Sequence, residues 1–143
     1  MIRQLAHLNF ITNDLSKIID FYVNKLGMKI KFIMKNKDGV PFGYYFECGN
    51  VTFIEFFDQT LAAKEWGGDV GELTAGRRYK HFCLEIVGLD AYIETLRSKG
   101  IEVERLSTGI DHSRQAWITD PDGNAIELHE YGPASLQLTG DGT

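Results

Sequence analysis

Cysteine is nearly absent: Cys48 and Cys83 are the only two in 143 residues, and no CxxC spacing links them. Each sits inside an apolar run, as buried free thiols do, so no disulfide is expected. No apolar stretch approaches the roughly 20 residues that a membrane helix needs. The opening Met1-Ile2-Arg3-Gln4-Leu5-Ala6-His7 lacks the basic-then-apolar layout of a secretory signal. The expectation is a soluble, cytoplasmic protein with no membrane partner. A basic run is also missing: 15 Lys plus Arg stand against 20 Asp plus Glu, a net charge of −5. That speaks against a nucleic-acid partner, because phosphate backbones are held by clustered cations. Histidine is scarce as well, at four, so the placement of each one is informative.

What the chain does have is globular balance. Hydrophobic residues make up 43% and charged residues 24%, far from the composition of disordered segments. At roughly 100–200 residues per domain, the chain holds one compact domain or two small modules sharing a core.

The order of elements is written twice. An apolar run from Leu5 to Ile11, containing His7, reads as a strand. Leu15, Ile18, Ile19, Tyr22 and Leu26 then recur at helical spacing up to a stop at Gly27. Three strand-like runs follow, Met28 to Met34, Gly43 to Cys48 and Val51 to Phe57, the last two joined by the hairpin signal Gly49-Asn50. The second half opens with a strand from His81 to Ile86 and a helix marked by Leu89, Tyr92, Ile93 and Leu96, stopped at Gly100. Its three strands are Ile101 to Leu106, Gln115 to Thr119 and Ala125 to Tyr131, with Asp120-Pro121-Asp122-Gly123-Asn124 as a turn. Both halves read βαβββ, and offsets of 74, 73 and 72 positions separate His7 from His81, Gly27 from Gly100 and Glu55 from Glu127. The expected organisation is a single α+β domain. It comprises module one at 3–57, a linker at 58–79, module two at 80–131 and a small-residue tail at 132–143, mobile unless docked.

Strand alternation groups Phe53, Glu55 and Phe57 on one face and Ala125, Glu127 and His129 on the equivalent one. A carboxylate between Phe53 and Phe57 is costly to desolvate unless it is paired or metal-bound. His7 and His81 start the first strands of the two modules. If a rough two-fold axis relates the modules, His7, Glu55, His81 and Glu127 come together as a nitrogen and oxygen set suited to a divalent transition metal. Taken singly, each His reads as a core residue and each Glu as a surface one; their recurrence in register favours the metal.

These residues resemble the vicinal oxygen chelate superfamily, which includes glyoxalase I, methylmalonyl-CoA epimerase, extradiol dioxygenases and the fosfomycin and bleomycin resistance proteins. The similarity runs from about Arg3 to Tyr131. Its most specific parts are Asp20-Phe21-Tyr22 with Leu26-Gly27-Met28, and Asp120-Pro121-Asp122-Gly123-Asn124-Ala125-Ile126-Glu127-Leu128. The resemblance implies paired βαβββ modules curling into a half-barrel cup, closed within one chain or between two chains of a homodimer. It also implies one divalent ion (Ni, Co, Zn, Mn or Fe) on His7, Glu55, His81 and Glu127. Members that act as dioxygenases or modify fosfomycin typically lack the first module's carboxylate, so Glu55 points to the glyoxalase I-like branch.

In that branch the resemblance implies a lyase or isomerase that moves a proton next to the carbonyl of a small 2-hydroxy-ketone-type substrate, through a metal-stabilised enediolate. Glu127 and Glu55 are the candidate catalytic bases, Glu127 being favoured because its small neighbour Ala125 gives it room. Glyoxalase I proteins tend to carry an arginine shortly after the first-strand histidine, anchoring a glutathione carboxylate. Here that stretch reads Leu8-Asn9-Phe10-Ile11, without the anchor. Candidate substrate contacts are Asn9, Tyr44, Tyr45, Trp66, Trp117, His112, Arg114 and His129, the last also a candidate partner of Glu127. Two alternatives stay open: a metal-free binding protein of the bleomycin-resistance type, and an Fe(II) ring-cleaving dioxygenase using His7, His81 and Glu127.

Overall fold

The computed structural model describes residues 3–74 and 80–140; residues 75–79 of the expected linker and 141–143 of the tail lie outside them. The chain divides into two units, Met1–Thr74 and Ala75–Thr143, each built on a four-stranded mixed sheet. The class is α+β. Among the described residues no helix is long and apolar enough to cross a membrane.

In the first unit, β1 (His7–Thr12) is followed by α1 (Leu15–Ile19), which continues as a π-helical turn (Asp20–Lys25), and then by β2 (Ile30–Lys35), β3 (Pro41–Glu47) and β4 (Phe53–Asp58). The sheet order is β1-β4-β3-β2, with β1 parallel to β4 and the other pairs antiparallel. Asp14 caps α1 by accepting from the Lys17 N–H at 3.1 Å, and Gly27, at φ +81°, ends the helical run in the left-handed region. Sequence spacing predicts an unbroken α-helix here. Instead, the wider turn keeps Ile18, Tyr22 and Leu26, four residues apart, on the core side together with Phe21. Leu15 and Ile19 are only half-buried. Tyr22 stacks on Phe46 at 5.4 Å and packs against Phe56 at 5.1 Å. The even-numbered side chains of β4, Ile54 and Phe56, therefore face the helix, and Phe53, Glu55 and Phe57 face the other way.

The segment expected to be linker begins with a helix, α2 (Gln59–Trp66), capped by Asp58, whose side chain accepts from the Leu61 N–H at 2.8 Å. The buried Gln59 amide ties that helix to its own unit. It donates to Asn13 Oδ1 and to the Gly71 carbonyl, both at 2.9 Å, and accepts from the Gly71 N–H at 3.0 Å.

The second unit repeats the plan with β5 (His81–Glu85), α3 (Leu89–Ser98), β6 (Ser107–Thr108), β7 (Arg114–Thr119) and β8 (Ala125–Glu130). Its order is β5-β8-β7-β6, with β5 parallel to β8. Leu89, Ile93 and Leu96 of α3 are buried, as are Ala116, Ile118, Ile126 and Leu128 of the sheet. The expected strand from Ile101 to Leu106 does not form; only Ser107 and Thr108 pair with β7. The segment is anchored by the buried Ile101 and one bond from the Glu104 N–H to the Trp117 carbonyl, 2.9 Å. Its exposed Glu102, Glu104 and Arg105 are the charged outer residues that shorten an edge strand.

The thiols also depart from expectation: Cys48 is half-buried and Cys83 exposed, both free. On β5 the apolar neighbours Phe82 and Leu84 alternate with His81 and Cys83, so Cys83 takes the open face with His81. The tail docks through Ser135, fully buried, which hydrogen-bonds Ser113 Oγ at 2.7 Å and the Gly132 N–H at 2.8 Å. A short helix, α4 (Leu136–Thr139), follows, and the Leu136 N–H donates to the Asp111 carbonyl at 2.8 Å.

The β7–β8 turn depends on one buried carboxylate. Asp120 Oδ1 accepts from the Asp122 and Asn124 N–H groups at 3.0 and 2.8 Å, and Oδ2 accepts from the Asn124 amide at 2.9 Å. Asp120→Ala orphans these donors and is expected to lower stability by about 1–3 kcal/mol. An unchanged urea midpoint would refute this account of the turn.

Candidate metal centre

In the first unit the parallel β1–β4 register sets Asn9 opposite Glu55 and His7 opposite Phe53, which brings the imidazole over the carboxylate. His7 Nε2 lies 3.7 Å from Glu55 Oε2, beyond hydrogen-bond reach. Glu55 is 3% exposed, and Asn9 Nδ2 donates to its Oε2 at 3.1 Å. Tyr45, paired with Glu55 across β3–β4, meets the His7 ring edge-on at 5.8 Å. Its phenol is pushed up to about 12, first by desolvation and then by the Glu55 carboxylate.

The second unit holds the counterpart. His81 Nε2 lies 3.3 Å from Glu127 Oε2, and Trp117, paired with Glu127 across β7–β8, meets the His81 ring edge-on at 4.7 Å. Each unit thus carries the same triplet of histidine, glutamate and aromatic wall on the face of its sheet turned away from the helix.

Beyond that triplet the units differ. Glu127 Oε1 lies 3.1 Å from His129 Nδ1. His129 is 2% exposed, and its Nε2 sits 3.6 Å from Asp111 Oδ2, both atoms being buried without a hydrogen-bond partner. Cys83, opposite Glu127 in the parallel register, completes a cluster: one donor atom each from Cys83, Glu127 and His129 lie within 4.8 Å of one another. The Cys83 residue is open to solvent, yet its sulfur is packed closely enough for desolvation to push the thiol up to about 12, ahead of the charge of Glu127.

Donors bound to one cation at about 2.1 Å sit about 3.0–3.4 Å apart. The His81–Glu127 pair meets that spacing at 3.3 Å, whereas the His7–Glu55 pair, at 3.7 Å, lies outside it and would have to close by a few tenths of an ångström to share an ion. Of the other expected site residues, Asn9 binds Glu55, Trp117 flanks His81 and His129 supports Glu127. Four lie elsewhere. Tyr44 turns to the helix face and stacks on Phe46 at 6.4 Å. Trp66, at the end of α2, packs edge-on against Phe42 and Phe57 at 5.2 and 5.1 Å. Arg114 points away from the Glu127 face and binds Asp90 at 2.8 Å and Glu130 at 2.7 Å, while Glu130 Oε1 accepts from the Gly88 and Leu89 N–H groups at the start of α3. His112 occupies an exposed turn at φ +66°. Sequence reasoning passed over Cys83 and Asp111. Parity with His81 could have found the first, while Asp111 lies in a loop with no periodic signal.

The sequence profile of the Glyoxalase/Bleomycin resistance protein/Dioxygenase superfamily matches residues 4–128. Lactoylglutathione lyase of Escherichia coli O157:H7 is 29% identical over 142 residues, spanning 94% of this chain and 98% of the relative. Among solved structures, TnmS3, an antibiotic binding protein from Streptomyces sp. CB03234, shares the fold at TM-score 0.68 and 22% identity, over 92% of this chain and 98% of its own. A glyoxalase family protein from Enterococcus faecalis does so at TM-score 0.67 and 20% identity, over 90% and 98%.

The environment of Cys83 makes a checkable statement about reactivity. With the thiol pushed up to about 12, the thiolate fraction near pH 8 is small and rises tenfold per pH unit. Glu127→Gln removes a neighbouring negative charge, lowers that value and so raises the thiolate fraction. Iodoacetamide labelling of the metal-free protein, followed on the Cys83 peptide by mass spectrometry, is expected to be several-fold faster in Glu127→Gln. Equal rates would show that the carboxylate does not act on the sulfur.

Proposed function

Because this chain belongs to the Glyoxalase/Bleomycin resistance protein/Dioxygenase superfamily, we propose that it is a metal-dependent, glyoxalase I-like lyase or isomerase. It moves a proton next to the carbonyl of a small 2-hydroxy-ketone-type substrate. The observation that carries this reading is the duplicated pair, His7 with Glu55 and His81 with Glu127, each on the open face of its sheet. In the proposal His7, Glu55, His81 and Glu127 hold one divalent ion, drawn from Ni, Co, Zn, Mn and Fe. The two pairs join within one chain or across a homodimer.

Such an ion, when bound, polarises the substrate carbonyl and stabilises the negative charge that proton loss leaves on its oxygen. The protein's own groups do the rest. Glu127 takes the proton on a carboxylate oxygen and returns it to the neighbouring carbon. Its side chain is 12% exposed against 4% for Glu55, and Ala125 leaves space beside it. Glu55 is the more deeply buried of the two and accepts from the neutral amide of Asn9, and in the proposal it serves as the fixed ligand. Tyr45 and Trp117 flank the two histidines edge-on and hold their rings in place. The remaining polar group of Asn9 and the ring of Trp117 are the proposed substrate contacts.

Elemental analysis of gently purified protein, beside His7→Ala and Glu55→Ala, is expected to show a bound divalent ion that both variants lose. Solvent-deuterium incorporation into a 2-hydroxy-ketone is expected to fall by about 10²–10⁴-fold in Glu127→Gln. Full metal content and unchanged exchange in the variants would overturn the reading. Metal kept without Glu55 would indicate a three-ligand oxygenase or transferase. No affinity for any divalent ion, together with tight binding of a large aromatic ligand, would indicate a binding protein.

A further inference from the structure

We propose that Cys83, Glu127 and His129 form a second cation site, for a thiophilic divalent ion such as zinc or cadmium. This site shares the Glu127 carboxylate with the His81 pair. Sulfur, nitrogen and oxygen donors from three neighbouring side chains are a set that such ions take up, and one donor atom from each lies within 4.8 Å of the others.

Two further observations point to an ion here. The first is how Glu127 is oriented. Its Oε2 faces His81 at 3.3 Å and its Oε1 faces His129 Nδ1 at 3.1 Å, so the carboxylate bridges two separate groups of donors without having to turn. The second is the pair of orphaned atoms behind the cluster. His129 is 2% exposed, yet its Nε2 and the facing Asp111 Oδ2, 3.6 Å apart, have no hydrogen-bond partner. A cation on Nδ1 leaves the ring proton on Nε2, the nitrogen that lies 3.6 Å from Asp111 Oδ2. That is the carboxylate behind a ligating histidine which commonly orients such a ring. The loop bearing Asp111 is pinned by the Leu136 N–H on its carbonyl, which keeps this carboxylate in place.

The first unit lacks the arrangement. Asn9 stands 74 positions before Cys83, and Phe57 stands 72 before His129. Asn9 donates to Glu55 directly, and Phe57 offers no donor. The second site is therefore a property of one module, not of the repeated fold. If the proposed proton transfer by Glu127 holds, an ion at this site ties up the Glu127 oxygen and inhibits the enzyme; that consequence rests on the functional reading above, whereas the binding itself does not.

The test titrates metal-free, full-length protein with cadmium and follows the sulfur-to-cadmium charge-transfer band in the ultraviolet. The band is expected in the unmodified protein, in Cys48→Ser, which removes the other thiol, and in His7→Ala, which disables the four-ligand site. It is expected to vanish in Cys83→Ser, and His129→Gln is expected to need at least tenfold more cadmium. Circular dichroism confirms that each variant is folded. Absence of the band from the unmodified protein, its survival in Cys83→Ser, or an unchanged titration in His129→Gln would each overturn the proposal. The last result would leave His129 as a packing partner of Glu127 that binds no ion. Because the band is read without substrate and in His7→Ala, its outcome does not depend on whether the proposed reaction is the right one.

Discussion

Everything at the candidate centre hangs on the parallel pairing of the first and last strands in each unit. A parallel ladder has no tight turn to set its register, so the helix and two intervening strands must lay β1 beside β4 and β5 beside β8. Once laid, the pleat does the sorting. Alternate side chains of β4 and β8 enter the apolar layer under a helix, and the ones between them carry glutamate to the opposite face. The histidine at the head of the neighbouring strand then falls within 3.7 Å in one unit and 3.3 Å in the other. A slip of one residue in either ladder would bury the carboxylate under the helix and expose an isoleucine or leucine. The hydrophobic demand that fixes the core fixes the candidate ligands as well.

Duplication preserved that logic and let the surroundings diverge. Tyr45 and Trp117 stand at equivalent positions against equivalent histidines, one an aromatic with a hydroxyl that reaches toward its carboxylate, the other a larger ring with a single N–H. The first glutamate is held by an amide from Asn9, a neutral donor with no proton to exchange near neutrality. The second is flanked by an imidazole and a thiol, both of them side chains of the kind that bind transition metals. The two carboxylates therefore sit in the same place in the fold and in different chemical company.

The sequence made the main architecture legible because two strong periodicities coincide in it. The βαβββ order, the helix stops at Gly27 and Gly100 and the His–Glu pairings all follow from strand and helix spacing plus the repeat. What escaped was whatever depends on tertiary context. The π-helical turn at Asp20–Lys25 shares its apolar spacing with an α-helix and is distinguished only by the aromatic residues it must bury. The α2 helix was concealed in glycine-flanked sequence, although Asp58 marked its start. Ile101 to Leu106 alternates as a strand does, but its charged outer residues keep it from pairing along its length. His129 lies near the end of its strand, yet it is buried and Tyr131 packs edge-on against its ring at 4.7 Å, a contact that no spacing announces. Cys83 looked buried among apolar neighbours, and only the pleat's parity places it beside His81.

The strand order has a consequence for the time course of assembly. Within a unit, β2, β3 and β4 are successive and antiparallel, so their contacts close short loops, while β1 reaches β4 across 46 residues between Asn9 and Glu55. Contacts of high sequence separation tend to form late, since the chain must lose loop entropy before they gain anything. A nascent module then passes through a stage with its hairpins made and its glutamate still lacking its histidine. The histidine and the glutamate of each pair thus meet only at the final docking of the first strand, and a half-made module holds the two groups apart.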